Sequence, residues 1–131
     1  MVRLLGYPED MGGLMPRARK KKDRIRQIYN WLVDKYPTPF PTELRQAKLV
    51  GENGEACKVG GRLRITIHSQ IPLHHAIEIL LHEYAHCVSW TYSTMEKHTF
   101  PHSDEWGLWL AKLTRDFIDM DGDTESKEYD W

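Results

Sequence analysis

Over residues 17–36 the apolar positions are Ile25, Ile28, Tyr29, Leu32, Val33 and Tyr36. They fall at i, i+3, i+4, i+7, i+8 and i+11, which is one face of a helix. The run Pro37-Thr38-Pro39-Phe40-Pro41 stops that helix, because proline removes backbone donors and forces its predecessor out of the helical region. Alternation then replaces the helical period. Leu63, Ile65 and Ile67 alternate with Arg62, Arg64, Thr66 and His68, the pattern of a half-buried strand. Residues 44–50 read as another strand and 57–59 as a short one, with turn signals at Gly51-Glu52-Asn53-Gly54 and Gly60-Gly61. Short strands joined by short turns predict a small, mostly antiparallel sheet.

Helical spacing returns at Leu73, Ala76, Ile77, Leu80, Leu81, Tyr84, Ala85 and Val88, opened by Ser69 and Pro72. A third helix follows His102. Ser103 is a suitable N-cap, Asp104 and Glu105 suit the positive end of the helix dipole, and Trp106, Trp109, Leu110, Leu113 and Phe117 supply the apolar stripe. Residues 1–16, rich in Gly, Pro and Met, read as an extended arm, and 121–131 as an acidic tail. The expectation is one α+β domain over residues 1–131: an N-terminal helix, a small sheet and two further helices.

Composition changes this picture little. The chain has 131 residues, enough to bury a core without disulfide staples, and 40% hydrophobic with 28% charged residues is ordinary for a globular domain. Cys57 and Cys87 are in no metal-ribbon spacing and read as reduced, buried thiols. No signal peptide and no apolar run of the roughly 20 residues that span a bilayer is visible, so a cytoplasmic protein with no membrane partner is expected. The net charge of -1 hides an asymmetry: residues 17–26 (RARKKKDRIR) carry seven basic residues and one acid, while 116–130 are mostly acidic. The basic run reads mainly as a solvated helix end. Arg19, Lys20, Lys21 and Lys22 are candidate phosphate contacts for a weak, salt-sensitive association with DNA.

The chemistry concentrates in the second helix. His82, Glu83 and His86 spell H-E-x-x-H. Histidines four apart lie on nearly one helix face, so both imidazoles reach one zinc ion at about 2.0–2.1 Å. The glutamate after the first histidine sits beside the metal, where it can take the proton of a metal-activated water. On the helical wheel the apolar face centres near Ile77 and Val88, and the two histidines fall on the opposite side. A closed structural zinc site normally has four protein ligands, often cysteines, and Cys87 reads as core. Three protein ligands and a water fit better.

The third ligand has four candidates: His98, His102, Asp104 and Glu105. The glycine and third histidine of the metzincin pattern are absent, since Ser89 and Tyr92 stand there. Glu105 on the following helix would give a gluzincin-like set. His102, just before a helix start, is better placed to turn back toward the second helix.

His82, Glu83 and His86, followed after an insert by His102-Ser103-Asp104-Glu105-Trp106, resemble the SprT-like metallopeptidases, the family that includes Spartan. The strand over 62–68 leading into SQIPLHHAIEILLHEYAHCV is similar to the family's entry into its active helix. The resemblance covers roughly residues 25–117, and only the histidine motifs in it are specific. It implies a minimal zincin-like fold, zinc held by His82, His86 and His102, Glu83 as general base, and a protein or peptide substrate. Some members act on proteins crosslinked to DNA. Two departures stand out: Ser103 replaces the usual glycine after the third histidine, and no zinc ribbon follows.

Around this core of residues, His98 and Tyr92 are candidates for a group near the metal or a transition-state stabiliser. Trp106 and Trp109 read as core that packs behind the site. The strand over 62–68 reads as the sheet edge along which an extended peptide lies. The leading expectation is a zinc peptidase. The competing one is a zinc-stabilised binding or regulatory module that cleaves nothing.

Overall fold

A computed structural model describes residues 17–90 and 103–123. The elements run α1 (Arg17–Lys35), β1 (Thr42–Ala47), β2 (Gly54–Val59), β3 (Arg62–His68), α2 (Leu73–Val88) and α3 (Asp104–Asp123). Among the described residues the architecture is α+β, with three helices and one small sheet.

The sheet order is β1-β3-β2. β2 pairs antiparallel with β3 from Gly54↔Ile67 to Val59↔Arg62, turning back through Gly60, whose φ of 64° favours a residue without Cβ. β1 pairs parallel with β3, from Thr42↔Leu63 to Ala47↔His68. The sheet is therefore mixed, not mostly antiparallel. The cause is the link over 48–53, which must step across β3 through two strand spacings, about 10 Å in all. A tight hairpin cannot do that. For the same reason β3 is the central strand and not the edge expected for it. The edges are β1 and β2.

One sheet face carries Leu44, Ala56, Leu63, Ile65 and Ile67, all buried beneath the helices. α1 adds Ile25, Ile28, Tyr29, Leu32 and Tyr36 to this core. Val33, expected on the same stripe, is 44% exposed. Trp31 packs inward instead, its ring edge-on to Tyr36 at 5.9 Å and to Phe117 of α3 at 6.3 Å.

Polar links tie the helices together. The Tyr84 hydroxyl donates to the Tyr36 carbonyl at 2.6 Å, and the Tyr36 hydroxyl donates to Asp116. That bond is the main reason the Asp116 carboxyl lies below its usual range. Arg24 of α1 meets Asp121 of α3 at 2.9 Å. Asp121 is buried and α3 runs to Asp123, so residues 121–123 belong to a packed helix and not to an acidic tail. Cys87 is buried as expected, but Cys57 is only half-buried, and both thiols are free. Among the described residues no helix is long and apolar enough to cross a membrane. The arm expected over 1–16 lies outside the described residues.

Gly54 marks the closest approach of β2 to α2. A Cβ placed there would lie 2.3 Å from Ile79 Cγ2, 3.3 Å from the Thr66 carbonyl oxygen and 3.5 Å from Glu83 Oε2. Gly54→Ala should therefore destabilise the fold by about 1–3 kcal/mol through overpacking. Gly61→Ala, where a Cβ meets nothing within 4 Å, should change stability by less than about 0.5 kcal/mol. Urea denaturation of the two variants checks this; equal midpoints would mean that the close approach does not constrain the fold.

Candidate metal centre

α2 is the central helix of the molecule. It packs on β2 and β3, on α1, and on α3. Pro72 is its N-cap, in extended conformation with φ -63° and ψ 155°, and no side chain caps it. The loop before it is pinned instead by Lys21, whose ammonium donates to the carbonyls of Ser69 and Ile71 at 2.7 Å each.

On α2 the donor atoms of His82, Glu83 and His86 lie within 4.8 Å of one another, close enough to share one metal ion. The two imidazole rings are 5.1 Å apart, at 72°. Their placement corrects the helical-wheel reading in one respect. The side opposite Ile77 is not open: Glu83 and His86 are each only 7% exposed, and His82 is half-buried. α3 covers the two histidines, and β2 approaches Glu83 at Gly54. The Trp106 indole stacks on His86 at 5.4 Å and 24°, and meets His82 edge-on at 5.0 Å and 68°. Its Nε1–H donates to the His82 carbonyl at 3.3 Å.

Ser103 sets that geometry. Its Oγ accepts the Trp106 backbone N–H at 3.2 Å, and its carbonyl accepts the Gly107 N–H at 3.0 Å, the pattern of an N-cap. The serine that stands where the resemblance led us to expect glycine thus fixes the first turn of α3. Trp109, one turn on, turns away from the histidines and meets Tyr36 edge-on at 6.1 Å.

Burial, and after it the carboxylates of Glu52 and Glu55, pushes the Glu83 carboxyl up to about 7. Among the described residues every influence on it acts in the same direction. A buried carboxyl group beside two imidazoles is a group that could hold a metal ion. Burial likewise drives the Cys87 thiol far above its usual range, which favours its protonated form.

Asp104 and Glu105 are exposed in the first turn of α3 and are not part of the metal-binding group. His98, His102 and Tyr92 lie outside the described residues. His75, on the same wheel face as His82, is held by Asn53 at 3.1 Å and lies 3.5 Å from Glu78. Of the candidate phosphate contacts, Lys20 and Lys22 are exposed on α1, while Lys21 is committed to the loop before α2. Arg19 lies in α1. Arg24 is paired with Asp121, and Arg26 donates to the Leu44 carbonyl at 3.4 Å, which shrinks the basic face further.

The chain matches no protein-family model, no curated protein and no solved structure. Function therefore has to be argued from the site itself. Sequence reasoning found the three α2 residues from spacing alone. It did not foresee Gly54, whose signal was a glycine at the start of a strand, nor that Trp106 would touch both histidines directly.

Proposed function

We propose that this chain is a zinc-dependent peptidase of the SprT-like type. The observation that carries the reading is Glu83: a carboxyl group buried beside two imidazoles on one helix, its donor atom within 4.8 Å of theirs. His82 and His86 would hold the ion, with His102 as third ligand. When bound, zinc supplies a Lewis acid that acidifies a water molecule and polarises a carbonyl oxygen. Glu83 accepts a proton from water in the cleft and returns it to the departing amine.

The substrate strand is assigned to β2. β2 is an edge strand, and at Gly54 it comes within reach of Glu83. A peptide that extends the sheet at β2 passes the general base, whereas β3 has no open edge to offer. Contact with DNA is proposed only as a weak association through Lys20 and Lys22.

The test is digestion of an unfolded protein by the zinc-loaded chain, with and without single-stranded DNA. Cleavage should stop on chelation and return when zinc is restored. DNA should alter the rate by no more than a few-fold, and that effect should vanish near 200 mM salt, since few phosphates are engaged (on the order of two or three). Zinc binding without cleavage of any unfolded substrate would instead assign the chain to non-catalytic binding modules.

A further inference from the structure

We propose that Trp106 is a positioning residue for the metal centre, holding His82 and His86 in the geometry that binds the ion. The inference rests on the reading of His82 and His86 as ligands and extends it to the residue that orients them. Three contacts converge on one side chain. The indole face lies nearly parallel to the His86 ring, its edge meets the His82 ring, and its N–H bonds the His82 backbone carbonyl. That carbonyl is also the one the helix ladder offers to the amide of His86. Trp106 therefore grips both imidazoles and the peptide unit between them.

The contacts favour the loaded state for a physical reason. An imidazole that has given its lone pair to a cation is electron-poor. The face of an indole is electron-rich, so stacking strengthens when His86 coordinates. Fixing the rings beforehand also removes rotamer freedom that binding would otherwise have to freeze. Ser103 is part of the same device, since it caps the turn that aims the indole.

Trp109 is the control. It sits on the same helix, packs against the same core, and touches Tyr36 in place of the histidines. A merely structural role predicts that both tryptophans behave alike. The experiment is titration of cobalt(II) into the metal-free full chain, followed by its visible absorption, with thermal unfolding in parallel. Trp106→Met should weaken cobalt affinity about 10- to 100-fold, the range for residues that orient ligands without being ligands. Trp109→Met should lower the melting temperature to a similar degree and leave affinity within about threefold of wild type. Trp106→Phe, which keeps a ring but loses the N–H, should fall between, at about 3- to 10-fold. If Trp106→Met does not fold, the Phe variant decides, and unchanged affinity there overturns the proposal. Equal effects at Trp106 and Trp109, or none at Trp106, overturn it as well. A wild-type chain that takes up no cobalt would instead defeat the reading of the centre itself.

Discussion

Glu83→Gln is expected to abolish hydrolysis in the zinc-loaded protein while raising the stability of the metal-free one. The first effect follows from its proposed role. Removing a positioned general base lowers the rate by about 10²- to 10⁴-fold. Glutamine keeps the shape and cannot accept the proton, so metal content should be retained.

The second effect follows from burial. The Glu83 carboxyl titrates near 7 in the folded chain against 4.5 ordinarily. Below pH 4.5 it is protonated in both folded and unfolded states, and the folded form bears no penalty. Between 4.5 and 7 the folded state keeps a proton that the unfolded state has released, so stability falls as pH rises. Above 7 the loss is complete, at about 3 kcal/mol. Glutamine has no such proton. Metal-free Glu83→Gln should therefore exceed wild type by up to about 3 kcal/mol at pH 8 and match it near pH 4.5. A bound cation favours the carboxylate, so zinc should narrow the gap. Urea denaturation at the two pH values, with and without chelator, measures this. A loaded variant that cleaves within tenfold of wild type would remove Glu83 from the chemistry. Equal stability at pH 8 would remove the case for the cost of its burial.

His82→Ala and His86→Ala should each weaken metal binding by more than the roughly 100-fold that an orienting residue costs, because each deletes a proposed ligand. They should differ in stability. His86 is 7% exposed and stacked on Trp106, so its removal leaves a void under α3, whereas half-buried His82 is the milder loss. His102→Ala should behave like a ligand deletion and Glu105→Ala should not, since Glu105 is exposed and outside the metal-binding group. Metal content by mass spectrometry of the native protein separates the cases. Loss at Glu105 with retention at His102 would move the centre to a gluzincin-like ligand set.

The sequence made the helices readable because a 3.6-residue period survives in any context where one face is buried. α1 and α2 follow the apolar stripes closely, and Ser103 opens α3 as its side chain requires. What failed was everything decided by a partner distant in the chain. Alternation in β3 gave its inward face correctly but carried no information on its neighbours, so its central place and its parallel pairing with β1 were invisible. The wheel put His82 and His86 opposite the apolar face without knowing that α3 lies over them. Asp121 looked like part of an acidic tail because its partner, Arg24, is 97 residues away. Val33 fitted the stripe of α1, yet Trp31 took the inward place because Phe117 of α3 was there to receive it.

The central position of β3 also orders the assembly of the molecule. β1 and β2 both bond to β3 and not to each other, so no part of this sheet exists without its last strand. A nascent chain that has reached Gly61 holds two strands whose shared partner has yet to be made. The hairpin of β2 and β3 closes the shorter loop, and β1 joins at the greater entropic expense of a longer one. Helix α2 begins five residues after β3 ends. The keystone of the sheet and the helix that carries His82 and His86 are thus translated back to back, and these histidines emerge only once the sheet beneath them is complete.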